Sequence, residues 1–148
     1  MSEDNPIRVF VSHAFSESDD YLRVFEYIES NPNFYYVNTS RPEQIPPGGS
    51  EAYKDALREQ IEAAEAVIVL AGLYEQKRDW VLYQINAARA LGRPIIALNP
   101  FGGAMPMPAD IAAVATEQPG WNEREIVDAL KRAARNEDTN RWEVIDFP

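Results

Sequence analysis

Ala66-Val-Ile-Val-Leu70 is apolar at every position and β-branched at its centre. A strand with one wet face alternates apolar and polar residues, whereas a strand covered on both faces has no reason to. The run therefore reads as a central strand of a parallel sheet. Two similar segments flank it. Upstream, Ile7-Arg-Val-Phe-Val11 is short and β-branched and ends at Ser12-His13. Downstream, Ile95-Ile-Ala-Leu98 follows Gly92 and Pro94, which stop the preceding helix. Phe34-Tyr-Tyr-Val37 supplies a further strand, and a weaker one is expected near residues 114–116.

Helical periodicity fills the gaps. Tyr21, Leu22, Phe25 and Ile28 predict a helix over residues 19–30, ended by Asn31-Pro32-Asn33. Ser50 reads as an N-cap, with Glu51 favourably placed on the helix dipole and Tyr53, Ala56, Leu57, Ile61 and Ala64 as the buried stripe. A polar connection over residues 74–79 leads to a helix over residues 80–91, with Gly92 at its C′ position. Asn122 and Glu125 form a capping-box-like start to a last helix, whose core side is Ile126, Val127, Leu130 and Ala133. Residues 39–49 hold three prolines and two glycines, so they form a loop long enough to carry function. Residues 99–108 are also rich in glycine and proline.

Strand–helix alternation of this kind specifies an α/β fold, a flavodoxin-like three-layer sandwich with a parallel sheet of about five strands. Ligands of such a sheet bind at the carboxyl ends of its strands. The 148 residues fit a single domain, with a core over about 7–134 and a tail over 136–148. The tail carries Trp142, Val144, Ile145 and Phe147, apolar residues that would dock on the domain or on a partner.

Composition narrows the function. Twenty-four acidic against fourteen basic residues give a net charge of −10, only three of the basic residues are lysines, and no basic run occurs. Such a surface repels a phosphate backbone, so no nucleic-acid partner is expected. The absence of cysteine excludes disulfides, thiolate nucleophiles and zinc–cysteine sites. His13 is the sole histidine, so multi-histidine metal sites are excluded and a Ser/His/Asp hydrolase is disfavoured. No apolar run approaches the roughly 20 residues of a membrane span, and the acidic start lacks the features of a secretion signal. A cytoplasmic protein with no membrane partner is expected.

The strand ends carry the candidate site. A dinucleotide fingerprint would put glycines where Ser12-His-Ala-Phe-Ser-Glu17 stands, a P-loop is missing, and a phosphoacceptor site would need acids that residues 9–13 and 70–73 lack. What remains is Ser12, His13 and Phe15 after the first strand, Asn38, Ser40 and Arg41 after the second, and Trp80 and Gln84 one turn apart on the following helix. Phe15 offers a face for a base ring, and Arg41 a bidentate fork for a pyrophosphate. Each also has a plainer reading: Ser12 as a turn residue, His13 on a loop carbonyl, Phe15 and Trp80 in packing, Arg41 in solvent, and Gln84 as an ordinary helix-surface glutamine. The acidic balance reads as a solubilising surface.

Three segments in order resemble TIR domains: Val9-Phe-Val-Ser-His13 their first strand, the proline-rich loop 39–49 the loop after their second strand, and Trp80-Val-Leu-Tyr-Gln84 their Trp-x-x-x-Glu helix, followed by Gly92-Arg-Pro-Ile-Ile-Ala97. The resemblance covers about residues 7–134 and is strongest to the short stand-alone TIR-like proteins of bacterial Thoeris anti-phage systems. It implies cleavage of the nicotinamide–ribose bond of NAD+, with NAD+ as substrate and no separate cofactor. It also implies release of an ADP-ribose-derived signal that activates an effector without direct contact. Self-assembly through the loop after the second strand and a phage-derived trigger belong to the same implication.

By that resemblance Gln84 stands where the catalytic glutamate is expected. Breaking the C1′–N bond leaves positive charge on the ribose, which a carboxylate stabilises. Glutamine keeps the shape, loses the charge and presents a donor where an acceptor is needed. The loss of about 3 kcal/mol or more predicts a 10²–10³-fold slower reaction, and so an inactivated form. Ser12, His13, Phe15, Asn38, Arg41 and Trp80 are the expected substrate-binding residues. Two alternatives stand beside this reading: a catalytically silent TIR-like interaction module, and a nucleoside deoxyribosyltransferase-like enzyme.

Overall fold

A computed structural model describes residues 1–103 and 105–139. The tail residues Trp142, Val144, Ile145 and Phe147 lie outside them. The elements run β1 (Ile7–Val11), α1 (Asp19–Glu29), β2 (Tyr36–Asn38), α2 (Gly49–Glu62), β3 (Ala66–Leu70), α3 (Ala71–Gln76), α4 (Arg78–Ala90), β4 (Ile95–Leu98), α5 (Ala109–Ala112) and α6 (Glu123–Arg135). Among the described residues the strands form one parallel sheet in the order β2-β1-β3-β4.

The sheet divides the core by residue parity, as the pleat requires. Val9, Val11, Ile68, Leu70, Ile96 and Leu98 face α1 and α6, while Phe10, Val67, Val69, Ile95 and Ala97 face α2, α4 and α5. Every residue of β3 is buried, in agreement with its uninterrupted apolar sequence. The three-layer α/β sandwich is therefore the observed architecture.

Local differences have local causes. No strand forms at residues 114–116: Val114 and Ala115 N–H donate to Ile111 O in the turn that closes α5, and the pairing is one bridge at Glu117, where Thr116 N–H donates to Ile95 O (2.7 Å) and Glu117 O accepts from Ala97 N–H (2.9 Å). Pro119 and Gly120 follow at once and stop the ladder. The helix after the long loop begins at Gly49 with Gly48 as its cap, not Ser50, because the entry turn needs the left-handed φ of 116° at Gly48. On α1 the buried face is Tyr21, Val24 and Ile28, while Leu22 is 45% exposed, which corrects its expected core role. The connection over residues 74–79 is largely helical as α3 and the start of α4. Gly92 takes φ 70° and closes α4, with Arg93 N–H donating to Ala88 O (2.8 Å).

Sequence order reverses between β1 and β3, so the crevice favoured for ligands lies where Ser12 meets Leu70.

Candidate functional site

Ser12 continues the β1–β3 ladder beyond the last strand residue. Its N–H donates to Ile68 O (2.9 Å), and its Oγ accepts from the Leu70 N–H (3.0 Å). The side chain is fully buried.

Gln84 is also fully buried, on the face of α4 turned toward the end of β1. Its Oε1 accepts from His13 N–H (3.2 Å) and its Nε2 donates to His13 O (2.7 Å). A peptide N–H must meet an oxygen and a peptide carbonyl must meet a donor, so the amide orientation is fixed by chemistry. The glutamine thus holds both backbone polar groups of one residue of the β1–α1 loop, the N–H of the peptide before His13 and the carbonyl of the peptide after it. It is not the exposed helix glutamine of the plainer reading.

The His13 ring is equally committed. Gln60 on α2 turns its Oε1 toward both the Arg41 N–H (2.9 Å) and His13 Nε2 (2.8 Å). Because Arg41 N–H can only donate, that oxygen is an acceptor, and His13 Nε2 must carry the proton. His13 Nδ1 then accepts from the Phe15 N–H (3.1 Å). Burial pushes the imidazole below the ordinary histidine range, opposed by the Gln60 hydrogen bond and the charge of Glu43. The ring is therefore neutral at physiological pH.

Phe15 adopts φ 60°, a left-handed conformation that costs a non-glycine residue of order 1 kcal/mol or more. Rings then run in a chain across the site: His13 to Phe15 (5.0 Å between centroids), Phe15 to Tyr53 (5.0 Å), and Tyr53 to Trp80 (6.0 Å). Trp80 is half-buried and lines a groove of about 470 Å³ between α2 and α4, together with Lys54, Asp79, Tyr83 and Asn86. It reaches Gln84 through this chain of rings and the His13 peptide.

At the end of β2, Asn38 Oδ1 accepts from Ser40 N–H (2.9 Å) and from the Ser40 hydroxyl, and its amide donates to the Tyr21 hydroxyl (3.1 Å). The Arg41 guanidinium donates to the carbonyls of Asn38 and Ser40 and is part of the lining of a second cavity, about 490 Å³, between the β2–α2 loop and α2. One face of its fork is thus bound to the protein's own backbone, which corrects the reading of Arg41 as a solvated loop arginine.

His13, Phe15 and Gln84 thus form one bonded cluster beside Ser12, which is tied to β3; Arg41 joins it through Gln60, and Asn38 through Arg41. Sequence reading missed Gln60 and Tyr21. Gln60 had a signal: it falls on the apolar stripe of α2, where Leu57, Ile61 and Ala64 are buried, and a polar residue there calls for a buried partner. No three His, Cys, Asp or Glu residues are placed to hold a metal among the described residues.

A model of the TIR-like domain of the Thoeris protein ThsB matches residues 10–103. No curated protein matches the chain significantly. Among solved structures, a 2-deoxyribosyltransferase from Bacillus psychrosaccharolyticus superposes with a TM-score of 0.51 at 14% identity, over 80% of this chain and 90% of that one. A Clostridium botulinum CMP N-glycosidase gives 0.49 at 19% identity, over 84% and 98%. At 14% identity the likeness to the deoxyribosyltransferase is one of fold.

Proposed function

We propose that this chain, which belongs to the TIR-like family of the Thoeris protein ThsB, carries a site for cleaving the nicotinamide–ribose bond of NAD+ to make an ADP-ribose-derived signal, and that Gln84 occupies its catalytic position without the charge turnover needs. One observation carries the reading: the matched segment contains the Trp80–Gln84 helix, and Gln84 reaches the end of β1 at the topological switch of the sheet.

In this reading a carboxylate at position 84 supports the oxocarbenium-like ribose from below. The Phe15–Tyr53–Trp80 rings provide stacking faces for nicotinamide or adenine. The Arg41 N–H groups not spent on Asn38 and Ser40 face the pyrophosphate. The sugar must enter where the His13 backbone now fills the reach of Gln84, so the β1–α1 loop withdraws that backbone when ligand binds. With glutamine present the chain binds NAD+ and does not cleave it. The product acts on a separate effector, and a phage-derived trigger and self-association through the β2–α2 loop complete the proposal.

The test compares the chain with its Gln84→Glu variant. Calorimetry measures NAD+ binding, and chromatography measures nicotinamide release. Binding by both forms, with release from Gln84→Glu at least 10²-fold above the unaltered chain, is the expected result. Binding without release from either, with trigger supplied, transfers the assignment to a silent interaction module. Base exchange on free deoxynucleosides identifies a deoxyribosyltransferase-like enzyme. No binding at millimolar NAD+ overturns the site.

A further inference from the structure

We propose that Gln60 is a positioning residue, whose single side-chain oxygen sets the tautomer of His13 and fixes the β2–α2 loop against the end of β1. Gln60 Oε1 receives His13 Nε2–H at 2.8 Å and Arg41 N–H at 2.9 Å, and its backbone carbonyl receives the Thr39 hydroxyl at 2.8 Å. One residue of α2 thereby ties the β1–α1 loop to the β2–α2 loop. The join continues on both sides. His13 Nδ1 holds the Phe15 N–H and so the left-handed turn of the β1–α1 loop, and the His13 peptide is held by Gln84. Movement of the β2–α2 loop at Arg41 is therefore transmitted to the His13 backbone that covers position 84.

The arrangement requires an acceptor at position 60. An imidazole protonated at Nδ1 would point a hydrogen at the Phe15 N–H and turn a bare nitrogen toward Gln60 Oε1, losing both bonds at once. The charged imidazolium would keep the Gln60 bond and lose the Phe15 bond. The groups facing the ring are Phe10 from β1 and Tyr21 from α1 at 5.5 and 6.4 Å between centroids, Phe15 from its own loop, Gln60 from α2, and the charge of Glu43 from the β2–α2 loop. None of these replaces Gln60 as the acceptor for Nε2–H.

Only the consequence for ligand rests on the proposed NAD+ site, and the experiment separates the two. His13 is the only histidine, so full-length protein labelled with ¹⁵N-histidine gives one imidazole to read by NMR. The unaltered chain is expected to show the neutral Nε2–H tautomer. Gln60→Glu keeps that tautomer and raises the imidazole pKa by about one unit, because a carboxylate favours the cation. Gln60→Met, which retains volume and removes the acceptor, gives mixed tautomers and about five- to tenfold faster amide exchange at Arg41, with β3 unchanged. It also weakens NAD+ binding severalfold if the chain binds NAD+. An Nδ1–H tautomer in the unaltered chain overturns the proposal. So does a Gln60→Met variant with unchanged tautomer and unchanged Arg41 exchange. If Gln60→Met does not fold, the tautomer and the Gln60→Glu shift still decide. If NAD+ does not bind, the functional reading fails while these spectra still judge Gln60.

Discussion

Gln84 spends one donor and one acceptor on the backbone N–H and carbonyl of a single residue, His13, and that pairing defines what else position 84 accepts. A carboxylate there would keep the His13 N–H bond and set a negative oxygen against the His13 carbonyl; a protonated carboxyl would satisfy both groups. Burial and the facing carbonyl therefore push the pKa of a carboxyl in Gln84→Glu above the usual range. The sign follows: with the folded-state pKa raised, the variant keeps its stability below the unfolded-state pKa and loses it as pH rises through the folded-state value. Gln84→Glu should match the parent in thermal stability near pH 4.5 and fall behind by about 1–3 kcal/mol at pH 7.5. Scanning calorimetry at both pH values checks this, and an equal deficit at both would contradict it. The same ionisation removes the hydrogen bond to the His13 carbonyl, so the charged form holds the β1–α1 loop less firmly than glutamine does. At this scale the sequence showed which residues gather at the strand ends. It did not show that Ser12 bonds to the backbone of β3 and Gln84 to the backbone of His13, because hydrogen-bond partners 58 and 71 residues apart leave no mark in local spacing.

At the scale of elements, the helices differ in how their ends are held. Asn122 caps α6 with its side-chain oxygen accepting from Arg124 N–H (2.9 Å) and Glu125 N–H (3.1 Å), while Glu125 turns back to the Gly120 N–H (3.3 Å). The capping motif expected at Asn122 is present, with its reciprocal bond shifted two residues upstream of the cap. By contrast, α2 has no side-chain cap and relies on the backbone freedom of Gly48. Asn122→Ala should cost about 1 kcal/mol, measured as a lower urea midpoint with unchanged slope; no change would mean that packing of α6 alone sets its start. The central strands were legible because β1, β3 and β4 are short apolar runs between clear breaks, and their observed bounds are those expected. What escaped was structure without its own apolar pattern. The six residues of α3 include Glu75 and Gln76 and follow β3 with no intervening loop, so polarity masked a helix held by the Tyr74 hydroxyl on Asp110 (2.6 Å). The strand expected at residues 114–116 was misplaced: α5 and its closing turn occupy the chain up to there, and the pairing is the single bridge at Glu117.

On the scale of the whole molecule, Glu65 is the ionic joint. It stands between α2 and β3, accepts from the Arg8 N–H (3.0 Å) and Arg8 Nε (3.2 Å) on β1, and takes both Nε and a terminal nitrogen of Arg135 at the end of α6. Arg135 in turn reaches Pro6 O (3.1 Å), so the start of the sheet and the last helix close on one carboxylate. Glu65 is 13% exposed, and the Arg135 hydrogen bonds hold its pKa down at about 2 against the opposing effect of burial. With the folded-state value below the unfolded one, the contribution is complete above about pH 4.5 and is lost as pH falls toward 2. A shift of this size corresponds to roughly 3 kcal/mol. A net charge of −10 at neutral pH adds self-repulsion that weakens as other carboxylates protonate, which works in the opposite direction. The joint is therefore isolated by comparing the chain with Glu65→Gln, in which the general charge effect is nearly unchanged. Urea unfolding should find the variant about 2 kcal/mol less stable at pH 7, with the gap closing between pH 4.5 and pH 2.5. A gap that stays constant over that range would show that Glu65 contributes by shape and hydrogen bonding and not by its charge. In that case the acid sensitivity of the fold would have to come from carboxylates elsewhere on the surface.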